Sequence, residues 1–177
     1  MDGRWTKANE VICREYNKSP ISFVKLNLDK LDLNIGSQSL QDAFLATGQP
    51  GSIPYGFVVP FTVTKNGKTY REKAIWVNDR KDLNGGVFVH ELLHLYSWPL
   101  PKMTRHDLSE GLTEYFTRKI NWVYRNSAYN HQVTEVEDFI KKHGCEDGLK
   151  KWYFCNRPQD ITQSLGETFV KWRYGKS

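Results

Sequence analysis

The chain has 177 residues, of which 39 % are hydrophobic and 14 % aromatic. It is therefore long and apolar enough to fold around its own core, and this composition excludes a disordered chain. Lysine and arginine number 25 against 20 aspartates and glutamates, but the basic residues are scattered, which favours solvated faces and no nucleic-acid binding.

Local sequence patterns exclude a membrane-spanning protein and a cysteine-based metal finger. No apolar run is long enough to span a membrane, and the N-terminus has no signal-peptide pattern. The cysteines lack metal-finger spacing. In an exported protein Cys145 and Cys155 would pair, whereas in a reducing compartment Cys13, Cys145 and Cys155 would all be free thiols; the sequence leaves both open.

The first half of the chain predicts a short helix over 5–16, a strand over 21–28 and a helical turn or two over 39–47. Its clearest element is a hairpin, with strands over 57–65 and 68–78. Asn66-Gly67 joins these strands, and this dipeptide supplies the two positive φ angles of a type I′ turn.

The next segment, 87–96, is apolar nearly all round and predicts a buried helix that runs to about Trp98. It contains His90-Glu91-Leu92-Leu93-His94. Residues four apart on a helix lie on one side, so both imidazoles lean toward one metal ion, while Glu91 is placed to reach a water on that metal. The alternative is two ordinary helix histidines, one exposed to solvent and one buried in the core with its ring nitrogens hydrogen-bonded.

A catalytic zinc ion needs a third protein ligand and an open position for water. A metzincin pattern would place Gly and His where Ser97 and Leu100 stand, and the upstream Cys13 lacks the context of a deformylase-like site. A glutamate on a following helix remains, and Glu110 fits it, since fifteen residues separate it from His94 and let the chain reverse.

Glu114 follows Glu110 by one helical turn and could accept a hydrogen bond from the non-metal nitrogen of a ligating histidine. Gly111, which has no Cβ, would let the two helices approach closely. Each glutamate has an ordinary alternative. Glu110 could close a capping box with Asp107, and Glu114 could form a surface ion pair with Arg118.

The remaining chain predicts helices over 107–124, 129–143 and 158–172, with a short apolar segment over 148–155. Val133, Val136 and Ile140 fall at helical spacing in the second of these, and Gly144 is its stop signal.

The two motifs, His90 to His94 and Glu110-Gly111-Leu112-Thr113-Glu114-Tyr115-Phe116, together resemble the gluzincin zinc metallopeptidases, in particular their minimal single-domain members, the minigluzincins. The resemblance covers about 27 residues. It implies that an edge strand above the cleft pairs with an extended peptide, a role we assign to the 57–78 hairpin. One departure is Glu114, where thermolysin-like members carry Asp.

We therefore expect an α+β fold, a single zincin-like domain over 1–177. Its strand-containing part, 1–98, includes the hairpin and the motif helix, and its helical part is 99–177.

The expected function is hydrolysis of peptide or protein substrates with one Zn²⁺ per chain, held by His90, His94 and Glu110. Glu91 acts as general base and then general acid. Candidates for stabilising the oxyanion, each with packing as the alternative, are Tyr115, Tyr129 and His131.

The competing reading is a metal-binding module that is catalytically silent or self-inhibited, including a secreted effector or toxin domain. A small peptidase favours export, but the sequence leaves the compartment and the oligomeric state open.

Overall fold

The structure is a computed structural model that describes residues 10, 12, 14, 31–35, 55–65, 68–77, 86–97, 104–120, 127–155 and 157–175. Residues 10, 12 and 14, within the predicted first helix, are helical, and three strands follow: β1 (Leu31–Ile35), β2 (Gly56–Lys65) and β3 (Lys68–Val77). Six helices follow among the described residues: α1 (Gly86–Tyr96), α2 (His106–Ile120), α3 (Asn130–His143), α4 (Glu146–Cys155), α5 (Pro158–Leu165) and α6 (Glu167–Tyr174). A 3₁₀ turn, Ser127–Tyr129, leads into α3.

The predicted hairpin is confirmed, since β2 pairs antiparallel with β3, with Gly56 opposite Val77 and Lys65 opposite Lys68. The strand β1 was not predicted. It pairs parallel with β3, so the strand order is β1-β3-β2 and β2 lies at an edge of the described sheet. The predicted strand 21–28, the helical turn 39–47 and the Asn66-Gly67 turn lie outside the described residues.

The α+β class is wrong, because the described structure is mostly helical. The three strands hold 5, 10 and 10 residues, whereas α1 and α2 alone hold 11 and 15. Among the side chains whose burial is described, Val77 is the one strand residue in the hydrophobic core. The physical reason is that apolar residues recur at helical spacing from position 86 onward, so helices bury one another and the small sheet covers one side of α1.

Helix α1 occupies the centre, because all its residues are buried. It contacts β2, β3 and α2, and α2 in turn packs against α3. A buried helix flanked on several sides has little room for water, so any polar group it carries needs a partner supplied by its neighbours.

The predicted helix over 129–143 is confirmed as α3. Val133 and Val136 are fully buried, Ile140 is half-buried, and Gly144 ends the helix with φ 60° while its N–H donates to the carbonyl of Ile140. The predicted last helix is interrupted. Gly166, with φ 51° and ψ −126°, separates α5 from α6, and this backbone conformation is one that glycine adopts readily.

Candidate metal centre

The two motif histidines face each other inside the protein. His90 is 4 % exposed and His94 is 8 % exposed, and their Nε2 atoms are 3.1 Å apart. The alternative of one solvated histidine is therefore wrong. Two ring nitrogens at this separation need a proton or a cation between them, because two lone pairs facing each other repel.

Helix α2 brings Glu110 to the same point. Its Oε2 is 3.2 Å from Nε2 of His90, and its Oε1 is 3.3 Å from Nε2 of His94. Both carboxylate oxygens thus face histidines, whereas the capping-box alternative would turn the carboxylate toward the start of α2. His90, His94 and Glu110 form a group that can hold a metal ion, with one ligand atom from each within 4.8 Å of the others.

The spacing of these ligand atoms suits a small metal ion. Ligands about 2.0–2.1 Å from a tetrahedral ion lie about 3.3–3.4 Å from one another. The two histidine nitrogens are 3.1 Å apart, and each lies 3.2 or 3.3 Å from a different oxygen of the Glu110 carboxylate. Two imidazoles and one carboxylate are also the donor set of a catalytic site that leaves a position open for water.

The charges around this group favour a cation. Burial alone would lower the pKa of His90, but hydrogen bonds to Glu110 and Glu114, together with the charge of Glu91, raise it to about 10. Burial would raise the pKa of Glu110, but the neighbouring His90 and His94 hold it far below its usual range. Three carboxylates thus create a negative potential that would attract a metal ion as well as a proton.

Glu114 supports His90 from behind. It is completely buried, and its Oε2 accepts a hydrogen bond from Nδ1 of His90 at 3.1 Å. Its Oε1 accepts from Nε of Arg118 at 2.9 Å, so the predicted support and the alternative ion pair occur together, one on each oxygen. The contact with a carboxylate keeps a proton of His90 on Nδ1, so Nε2 is the nitrogen that could bind a metal ion.

A second support was missed from the sequence. The hydroxyl of Thr113 lies 3.3 Å from Nδ1 of His94 and 2.7 Å from the hydroxyl of Tyr153. Thr113 stands three residues after Glu110 and therefore on the same side of the helix. Helical spacing could thus have predicted that Thr113 lies near the histidines. Nothing near Tyr153 in the sequence indicates this contact.

Glu91 lies beneath the start of β2. It is buried, and a Cβ placed on Gly56 would lie 3.1 Å from its Oε1 and 2.6 Å from Cγ1 of Val87. Only a residue without a side chain lets the strand approach α1 this closely. The open end of the hairpin, where β2 begins, therefore lies next to Glu91, the carboxylate predicted to be the general base.

The three candidates for oxyanion stabilisation lie in different surroundings. The ring of Tyr129 stacks on His90, with centroids 5.3 Å apart and planes 11° from parallel. His131 is exposed at the start of α3. Tyr115 is buried beside Lys119 and Glu146, and burial raises its pKa. Of the three, the structure places Tyr129 in contact with a residue of the metal-binding group.

Gly111 packs against a different helix from the one predicted. A Cβ there would lie 2.8 Å from the backbone oxygen of Gln132, so this glycine permits the close approach of α2 to α3 and not to α1. The error arose because a glycine in the sequence shows that a helix surface can be approached closely, but it does not show which neighbouring helix approaches it.

Cys145 is a free, buried thiol in the structure. Burial raises its pKa. The side chain of Cys155 and the whole of Cys13 lie outside the described residues.

No protein-family model, curated protein sequence or solved structure matches this chain. Within the described part of the chain, no helix has the length and apolar character needed to cross a membrane.

Proposed function

We propose that this protein is a zinc-dependent metallopeptidase of the gluzincin type. The observation that carries the proposal is the meeting of His90, His94 and Glu110 from two helices, with Glu91 on the same helix as the histidines. Structural metal sites are usually closed by four protein ligands, whereas three ligands beside a carboxylate suit hydrolysis.

Three of these residues would bind the metal ion, and the fourth would transfer protons. His90, His94 and Glu110 would hold the ion. A bound zinc ion supplies an acidic water and a Lewis acid for the peptide carbonyl. Glu91 accepts a proton from the attacking water and donates it to the amine that leaves. Burial of Glu91 under β2 keeps this transfer away from bulk solvent.

The position of β2 supports the proposed substrate class. This strand lies at the edge of the described sheet and begins at Gly56, beside Glu91. An edge strand offers unpaired backbone groups to an extended peptide, which would pair with it as an added strand. A peptide bound there would pass close to Glu91, so we propose that the substrate is an extended peptide or an unfolded protein segment.

The test begins with the metal content of the purified protein. We expect about one zinc per chain in the wild type and a sharp loss in Glu110→Ala. The matched control is Glu137→Ala, because Glu137 is an exposed glutamate on α3 and should not affect zinc. Zinc retained by Glu110→Ala would place the third ligand elsewhere.

Turnover is then measured on an unfolded protein substrate. Glu91→Gln should retain zinc and lose nearly all cleavage, because an amide cannot accept the proton from water. Near-normal cleavage by this variant would refute the role of Glu91. Wild-type protein that holds zinc but cleaves no substrate would instead favour the silent or self-inhibited module.

A further inference from the structure

The hydroxyl of Thr113 makes three polar contacts inside the protein. Its Oγ1 lies 2.8 Å from the backbone oxygen of Ser109, 2.7 Å from the hydroxyl of Tyr153 and 3.3 Å from Nδ1 of His94. Thr113 and Tyr153 are both fully buried. The contacts connect a proposed metal ligand on α1 to α4, through α2.

The direction of each hydrogen bond follows from what each group can do. A hydroxyl has one proton to donate and lone pairs with which to accept. A backbone carbonyl only accepts, so Thr113 donates its proton to Ser109. Thr113 must then accept from its other two partners, which makes the Tyr153 hydroxyl a donor and requires a proton on Nδ1 of His94.

The surroundings of Tyr153 keep its hydroxyl protonated and close to Thr113. Its ring packs between aromatic neighbours, with centroids 5.0 Å from that of Phe116 and 4.7 Å from that of Phe154. Burial raises its pKa well above the ordinary value, so the phenol stays protonated. A neutral phenol, which also contacts the side chain of Ser97, keeps a proton that it can donate to Thr113.

We propose that Thr113 and Tyr153 are positioning residues that hold His94 in the tautomer with its proton on Nδ1. This tautomer presents the lone pair of Nε2 to the point shared with His90 and Glu110. The tautomer itself follows from the hydrogen bonds alone, and its consequence for zinc binding rests on the proposed function.

The two histidines are thereby supported in different ways. His90 donates to a carboxylate, Glu114, whereas His94 donates to a neutral hydroxyl. Charge-assisted hydrogen bonds are roughly twice as strong as neutral ones, so the support of His94 depends more on correct placement than on charge. This placement comes from α4, so packing of the C-terminal helices contributes to the metal site.

The experiment compares Thr113→Val with Thr117→Val. Thr117 is equally buried on the same helix and donates to a carbonyl four residues earlier, that of Thr113, at 2.8 Å. It therefore reproduces the loss of a buried threonine hydroxyl without the contact to His94. Thr113→Ser keeps the hydroxyl and should restore the wild-type behaviour.

Two quantities are measured. Nitrogen-15 NMR should show His94 protonated on Nδ1 in the wild type, Thr113→Ser and Thr117→Val, and a mixture of tautomers in Thr113→Val. The zinc Kd, from competition with a chelator, should rise about 10-fold or more in Thr113→Val and stay within about twofold in the other two. Should Thr113→Val fail to fold, Thr113→Val/Tyr153→Phe removes both buried hydroxyls and leaves neither unpaired.

The outcomes separate this inference from the proposed function. Equal tautomers and equal zinc Kd values in Thr113→Val and Thr117→Val would overturn the inference even if the protein is a peptidase. A wild type that binds no zinc would overturn the proposed function, while the NMR measurement on the metal-free protein would still decide the tautomer. If Thr113→Val shows the expected mixture of tautomers and weaker zinc binding, but the wild type cleaves no peptide, the result would support this inference and not the proposed function.

Discussion

Replacing Glu114 by Gln tests the support of His90, because the change removes charge and keeps shape. The carboxylate accepts two hydrogen bonds, from Nδ1 of His90 at 3.1 Å and from Nε of Arg118 at 2.9 Å. A glutamine has one oxygen that accepts and one NH₂ that only donates. One of the two N–H groups must therefore face another donor.

The orientation of the amide decides the cost. If the oxygen turns to Arg118, the NH₂ faces His90 and forces its proton onto Nε2, which is then lost as a metal ligand. If the oxygen turns to His90, the Nε–H of Arg118 faces the NH₂ group and loses this acceptor, while its Nη2 still donates to Asn130 at 2.9 Å. An unpaired buried donor costs about 1–3 kcal/mol, which corresponds to roughly a 5- to 150-fold change in an equilibrium constant. We expect the zinc Kd of Glu114→Gln to rise about 10- to 100-fold.

A second substitution makes this test specific. In Glu114→Gln/Arg118→Met the competing donor is gone, so the amide oxygen is free to accept from His90. The double variant should therefore bind zinc more tightly than Glu114→Gln alone, with Arg118→Met as the control for losing the arginine. A zinc Kd of Glu114→Gln within twofold of the wild type would refute the reasoning, as would a double variant that binds more weakly than the single one.

Three further predictions concern the packing around the site. Gly56→Ala places a Cβ 2.6 Å from Cγ1 of Val87 and 3.1 Å from Oε1 of Glu91, so β2 must move away from this carboxylate; turnover should fall about tenfold or more while the zinc Kd stays within about twofold. Equal turnover would show that β2 does not position this carboxylate. Gly111→Ala places a Cβ 2.8 Å from the backbone oxygen of Gln132, and we expect urea unfolding to show a loss of about 1–3 kcal/mol. Cys145 should react with a disulfide reagent far more slowly in the native than in the unfolded protein at pH 8, because burial shields the thiol and raises its pKa.

The predictions for Gly111 and Cys145 each have a control. Gly148→Ala is matched to Gly111→Ala, since its Cβ would meet a side-chain carbon of Ile161 at 3.3 Å and no backbone atom closer than 3.7 Å. A larger loss of stability there than at Gly111 would contradict the argument about helix approach. The cysteine measurement uses a variant whose other two cysteines are serine, and equal rates in the native and unfolded states would contradict burial of the thiol.

The candidate site could be predicted in large part from local sequence pattern. The four-residue spacing of His90 and His94 places both on one side of a helix, whatever surrounds that helix. An apolar sequence nearly all round that helix also predicted its burial, which the structure confirms. Glu110 was found by exclusion of other ligand patterns, and the structure brings it to within 3.3 Å of both histidines.

The class of the fold was predicted wrongly because strand content was inferred from the whole first part of the chain. The hairpin is present, but the described core is built almost entirely by helices. Periodicity identifies an element and the side it buries; it does not weigh how much of the core each element supplies. The break at Gly166 was missed for a related reason, since a single glycine inside a helical pattern is often tolerated.

What the sequence by itself determined is the chemistry of the centre: which residues bear ring nitrogens and carboxylates, and which of them share one side of a helix. These properties depend on residues a few positions apart, where the geometry of the helix is fixed. Only the tertiary structure decided which elements surround that centre. Tyr153 reaches Thr113 from 40 positions away, Gly56 lies over Glu91, and Gly111 meets α3, and each of these contacts depends on how helices and strands pack across the core.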